Sequence, residues 1–151
     1  MSELQIREAS LEDVAHIVHH RRRMFEDMGY SDAALLDRMS QRFEVWLRER
    51  MADGRYLAWV AVSETGAVAA GAGLWLMDWP PHVLGQSDFR GNIVNVYTEP
   101  EYRRQGLARR LTQTALDWCW GHDLDVVILH ASDHGRPIYE SLGFRPTNEM
   151  R

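Results

Sequence analysis

Residues 92–131 change hydrophobic period twice, and no other stretch constrains the fold as tightly. Residues 92–98, NIVNVYT, are β-branched and read as a strand. Leu107, Leu111, Ala115, Trp118 and Cys119 then recur at helical spacing, which predicts a helix from about Tyr102 or Arg104 to Trp120. Residues 125–131, DVVILHA, are apolar enough for a central strand covered on both faces. A strand that passes through a helix to a second strand of the same sheet sets the two in parallel, with a right-handed crossover.

The flanking sequence adds elements around this unit. Residues 4–8 suit a short first strand. Ser10, Glu12 and Asp13 then mark a helix start, with a hydroxyl cap and acidic residues in the first turn. Leu11, Val14, Ile17, Val18, Met24, Phe25 and Met28 follow at helical spacing up to Gly29. Ser31 and Asp32 cap a second helix with the stripe Leu35, Leu36, Met39, Phe43, Trp46 and Leu47, which Gly54 stops. Residues 55–63 and 67–77 flank Glu64-Thr65-Gly66 as a β-hairpin. Residues 77–91 form a long irregular stretch, because Pro80-Pro81 excludes regular structure. A short helix begins near Arg136, with Pro137 in its first turn, and ends at Gly143. Residues 144–150, FRPTNEM, are expected as a final edge strand, since Pro146 has no place in a central one. The expected order is β-α-α-β-β-β-α-β-α-β, one α/β domain over residues 1–151 with a mixed sheet.

The turn before the third helix gathers Arg103, Arg104, Arg109, Arg110 and Gly106 in a chain whose formal net charge is −5. A helix start offers backbone N–H groups without internal partners, and the helix dipole adds partial positive charge. Gly106 and the small Ala108 let an anion approach the main chain, and arginines pair with phosphate oxygens in bidentate fashion. The alternative is a solvated helix start, in which arginines oppose the dipole. A Walker loop is excluded, because no Gly-Lys-Ser/Thr follows, and a dinucleotide fingerprint is excluded because Gly106 is the only glycine in the turn.

Other function classes drop out on composition. The acidic balance argues against nonspecific nucleic-acid binding. No apolar run reaches the roughly 18 residues of a membrane span. The one cysteine, Cys119, leaves no internal disulfide. With no signal-peptide profile at the start, a cytoplasmic location is the expectation.

Arg103-Arg104-Gln105-Gly106-Leu107-Ala108 resembles the Arg/Gln-x-x-Gly-x-Gly/Ala pyrophosphate loop of the GNAT superfamily, the acyl-CoA-dependent N-acetyltransferases. Pro100-Glu101-Tyr102-Arg103 matches the approach to that loop. Ile138-Tyr139-Glu140-Ser141-Leu142-Gly143-Phe144 resembles the family's last motif. The resemblance is tightest over residues 92–144, and the element order agrees with it.

The resemblance implies a GNAT-like mixed sheet flanked by helices, with splayed central parallel strands and acetyl-CoA as cosubstrate, without a metal. Backbone groups of Val96, Tyr97 and Thr98 would pair with the pantetheine arm. The amides from Arg104 to Ala108 would hold the pyrophosphate, with Arg103 beside them. Ser132 stands where the family often has an asparagine that bonds the pantetheine. Tyr139 would be the general acid. A phenol, with an ordinary pKa of about 10, can protonate a departing thiolate whose thiol has a pKa of about 8.5. Asn95 stands where several relatives carry an acidic residue. The general base is left open among Glu26, Asp78, His82, His130, His134 and a water held by Asn95.

The acceptor is expected to be a small-molecule amine, or else a peptide amine. Trp75, Trp79 and Pro80 are candidates for an aromatic wall, and Glu26, Asp27 and Asp78 for attracting a cation. Arg21 to Arg23 read as a solvated face. An exposed final strand and many tryptophans suit a homodimer. A noncatalytic acyl-CoA sensor is the alternative function; it would keep the loop but have no use for Tyr139. A general nucleotide-binding domain would leave the last motif unexplained.

Overall fold

The structure, a computed structural model, describes residues 3–151. Five strands lie in the order β1 (Gln5–Glu8), β2 (Tyr56–Val62), β3 (Val68–Asp78), β4 (Phe89–Thr98) and β5 (Val127–Leu129). All neighbours are antiparallel except β4 and β5, which run parallel. Helices α1 (Val14–Asp27) and α2 (Ala33–Ala52) precede the hairpin, α3 (Leu107–Gly121) links β4 to β5, and α4 (Arg136–Ser141) follows.

The strand period of two distributes the core. Tyr56 and Ala58 of β2 pack with Val14 and Ile17 of α1 and Phe43 and Leu47 of α2. Trp59 and Ala61 point to the opposite face, where Leu107, Leu111, Ala115 and Cys119 of α3 cover them. The sheet is therefore sandwiched between α1 and α2 on one side and α3 on the other, a mixed α/β arrangement as expected. Burial pushes the Cys119 thiol up to about 11, so it packs as a small apolar group. Among the described residues, no helix is long and apolar enough to cross a membrane.

The helix starts follow their sequence signals. Ser10 and Asp13 form a reciprocal capping box, closing a 3-10 turn, Leu11–Asp13, that leads into α1. Arg7 grips Asp13 with two hydrogen bonds of 2.8 and 2.9 Å, and these hold that carboxyl below its usual range. The Asp32 carboxylate accepts from the amides of Ala34 and Leu35 at the start of α2.

Three expectations are corrected. The closing strand at residues 144–150 does not form, and residues 145–151 are exposed. Pro146 supplies no N–H, and the polar residues around it bring too little apolar surface to a sheet edge. Without that neighbour β5 is an edge strand, shorter than residues 125–131 and half-buried rather than covered on both faces. The irregular stretch is also shorter than 77–91, because β3 reaches Asp78 and β4 begins at Phe89. The prolines do keep residues 79–88 outside the sheet. There Trp79 N–H donates to the Asp88 carbonyl at 2.9 Å, and the Asp125 carboxylate accepts from Gln86 N–H at 2.7 Å.

Candidate active site

The parallel pair is brief. Gly91, Asn92 and Ile93 of β4 face Val127, Ile128 and Leu129 of β5. From Val94 to Thr98, β4 then borders a gap with no strand on that side among the described residues. Glu99 N–H donates to the Ala69 carbonyl of β3 at 2.8 Å. Antiparallel bonding alternates, so Tyr97 also turns its peptide groups to β3, while Val96 and Thr98 turn theirs to the gap. The Thr98 carbonyl already accepts from Arg103 Nε at 2.9 Å. Val96 and the Thr98 N–H thus face the gap, and the Tyr97 main chain does not. The Tyr97 ring instead packs beside His20, with centroids 5.6 Å apart.

On its other side β4 carries a bulge. Val94 faces Gly73 and Tyr97 faces Gly71, so β4 uses one residue more than β3 across this stretch. Asn95 lies in the bulge with φ 58°, a left-handed conformation that asparagine tolerates better than most residues. Its side chain turns toward α1. Oδ1 accepts from Arg21 Nη1 at 2.7 Å, and Nδ2 donates to the Tyr56 hydroxyl at 2.8 Å. Burial pushes the Tyr56 phenol up to about 12 and the His20 imidazole down to about 4, because each charged form would lose its hydration.

The turn into α3 presents a run of unpaired amides. From Arg104 to Arg109 no backbone N–H finds an acceptor among the described residues, and the first bond back is Arg110 N–H to the Gly106 carbonyl at 3.1 Å. Arg104 and Gly106 are left-handed, with φ of 64° and 75°. Left-handed residues within a turn point successive N–H groups into one concavity. Leu107 is buried in the core, so only its amide faces this hollow.

The four arginines go to four places. Arg103 bonds Asp27 of α1 at 2.9 Å and the Tyr97 hydroxyl at 3.3 Å, besides Thr98. Its side chain therefore ties the turn to α1 rather than joining the amide hollow. Arg109 donates to the Ser141 hydroxyl of α4, and Arg110 to the Leu4 carbonyl at 3.3 Å. Arg104 alone makes no side-chain hydrogen bond or ion pair among the described residues, and it and Gln105 are exposed.

Tyr139 sits in α4, and the missing side chain of Gly135 makes room for it. A Cβ there would lie 3.0 Å from the Tyr139 ring. Phe144 meets the ring edge-on at 6.2 Å. Burial raises the Tyr139 phenol above its ordinary range, which keeps it protonated at neutral pH. Ser132 Oγ accepts from Gly135 N–H at 3.1 Å, holding the entry to α4; its hydroxyl proton remains available to donate.

The acceptor-side expectations fare differently. Trp75 packs against Trp46 at 5.4 Å, whereas Trp79 lies under the Arg90 guanidinium at 4.0 Å, so the two have separate partners. Glu26 is paired with Arg22 and Arg23, and Asp27 with Arg103. Among the candidate bases, His130 meets Glu149 at 3.2 Å and His82 accepts from Leu84 N–H at 3.0 Å. Arg21 is not part of a solvated face. It is half-buried, with its guanidinium over the rings of Phe25 and Phe43 at 5.0 and 4.8 Å. Its spacing of four from Phe25 is the one sequence signal of that placement. Among the described residues no group of three or more His, Cys, Asp or Glu is placed to hold a metal ion.

A family model described as the acetyltransferase (GNAT) family matches residues 12–144. The chain belongs to this family, whose fold and chemistry are those of acyl transfer from coenzyme A thioesters to amines. A GCN5-related N-acetyltransferase from Ralstonia eutropha JMP134 is 36% identical with a TM-score of 0.91, over 99% of this chain and 97% of that one. A predicted acetyltransferase from Clostridium acetobutylicum, solved with acetyl-CoA, is 25% identical with a TM-score of 0.89, over 99% and 94% of the two chains. Glucosamine-6-phosphate N-acetyltransferase from Arabidopsis thaliana shares the fold, at 19% identity and a TM-score of 0.70 over 99% and 96%. A comparison with curated proteins found no match.

Proposed function

We propose that the protein transfers an acyl group, acetyl first of all, from acyl-CoA to a primary amine by direct attack, with residues 1–151 as one catalytic domain. The observation that carries this reading is the run of unpaired amides from Arg104 to Arg109 at the start of α3. Six consecutive donors with left-handed residues among them suit a diphosphate, and the helix dipole adds to the attraction.

When bound, acetyl-CoA supplies an acyl group activated as a thioester. The amides from Arg104 to Ala108 hold its diphosphate, and Arg104 reaches the outer phosphate oxygens. Val96 and the Thr98 N–H pair with the pantetheine arm along the gap, and Ser132 donates to it. An amide of β4 polarises the thioester carbonyl. The amine nitrogen bonds to the carbonyl carbon and the carbon–sulfur bond breaks. Tyr139, kept protonated by burial, gives its proton to the departing sulfur, and the surplus amine proton passes to solvent.

Thiol release from acetyl-CoA against an amine panel tests the reading, with Tyr139→Phe beside wild type. Loss of about a hundredfold in kcat, with acetyl-CoA binding unchanged by calorimetry, is the expected result. Equal rates for the two proteins at every pH would remove Tyr139 from the mechanism.

A further inference from the structure

Arg21 is a half-buried cation without a counter-charge. Among the described residues its single hydrogen bond goes to the neutral Asn95 amide, and its buried Nε has no partner. No carboxylate among the described residues forms an ion pair with it, although its neighbours Arg22 and Arg23 both have one. Burial holds the guanidinium below its ordinary range, yet an arginine stays charged at neutral pH. A desolvated charge of this kind is unfavourable unless something pairs with it.

The location says what that partner is. Asn95 adjoins Val96, the residue whose peptide groups open onto the gap. Arg21 reaches Asn95 from α1, which sets its fork one residue along the strand from Val96. The rings of Phe25 and Phe43 hold the guanidinium in one orientation. Four of its N–H donors find no acceptor among the described residues, out of the five that a guanidinium carries. One fixed, planar fork matches one carboxylate. A phosphate dianion calls for more positive charge, and the other two arginines of α1, Arg22 and Arg23, are spent on Asp37 and Glu26.

We infer that the acceptor carries a carboxylate beside its amine, in the manner of an amino acid, and that Arg21 binds it. This inference rests on the acyltransferase reading and names the substrate class for that site. Glu26 and Asp27, engaged with arginines, are not free to select a cationic acceptor, so the unspent charge on α1 is positive. Carboxylate binding at Arg21 would direct the neighbouring amine into the gap beside Val96.

The test compares the protein amino acids with their carboxamides as acceptors, using thiol release from acetyl-CoA, while calorimetry follows acetyl-CoA binding in parallel. Wild type is expected to prefer carboxylates by about tenfold or more in kcat/KM, the effect of one lost charge-assisted contact. Arg21→Met is expected to erase the margin by raising KM for the carboxylates far more than it changes the carboxamide rates, and Arg21→Lys to restore part of it. Should Arg21→Met fail to fold, the wild-type ratio decides alone. If acetyl-CoA binds but carboxamides do as well, the margin survives Arg21→Met, or no member of the panel is acylated, this inference is overturned and the acyl-CoA reading stands. If acetyl-CoA does not bind, both fall.

Discussion

The Asn95 side-chain amide donates to the Tyr56 hydroxyl at 2.8 Å, and this buried bond ties the bulge of β4 to the start of β2. Tyr56→Phe leaves that donor unpaired away from water and is expected to destabilise the fold by about 1–3 kcal/mol. Asn95→Ala strands both Tyr56 and Arg21 and is expected to cost more. Urea unfolding of the two variants checks the order; equal stability of Tyr56→Phe and wild type would mean that the bond contributes nothing.

Two glycines of β3 let side chains from other elements lie on the sheet, and they differ in tolerance. A Cβ on Gly73 would fall 1.9 Å from the Tyr56 hydroxyl and 2.5 Å from its ring, whereas one on Gly71 meets the tip of His20 at 2.9 Å. Tyr56 is fixed in the core and has nowhere to move. Gly73→Ala is therefore expected to lose about 3 kcal/mol or more, and Gly71→Ala clearly less. Thermal melts of both proteins would show the opposite order if Tyr56 moved aside easily.

His20 makes stability depend on pH. Its imidazole is pushed down to about 4 in the folded protein by burial first, and then by His19 and His16; the ordinary value is about 6.5. Between those values the unfolded chain binds the proton and the folded one does not. Stability is therefore full above about pH 6.5 and falls as pH drops toward 4, by about 3 kcal/mol in all. Asp13, held below its usual range by Arg7, acts only at lower pH. Urea midpoints between pH 7.5 and 5 should fall for wild type and stay flatter for His20→Gln; parallel curves would assign the slope to other groups.

The arginines of the turn separate by partner. Arg104→Ala is expected to weaken CoA binding about tenfold and to reduce its salt dependence, because its exposed charge has no partner within the chain among the described residues. Arg103→Ala is expected to leave CoA affinity within about threefold and to loosen the turn slightly, by about 0.2–1 kcal/mol for an exposed ion pair. Calorimetric titration at several ionic strengths distinguishes them. The reverse ranking would put the Arg103 side chain on the phosphates.

Much of this arrangement was legible in the sequence because it is local. The strand of residues 92–98, the glycine turn and the helix stripe from Leu107 to Cys119 each carry their own period or cap, and they form, although β4 starts earlier, at Phe89, and α3 later, at Leu107 rather than near Tyr102 or Arg104. What was hidden depends on contacts across the chain. Arg103 meets Asp27 over a separation of 76 residues and Arg21 meets Asn95 over 74, and no spacing rule reports such pairs. The missing last strand is a failure of a different kind. Pro146 reads as assigning residues 144–150 to an edge, but it and the polar ending remove the bonds and apolar area that would hold them there.

A crystal structure of the complex with coenzyme A tests the central claim most directly. The account predicts diphosphate oxygens about 2.7–3.2 Å from the amides of Gln105, Gly106, Leu107 and Ala108, with the sulfur beside the Tyr139 hydroxyl. Amides already paired within the turn, and a diphosphate bound elsewhere, would contradict it.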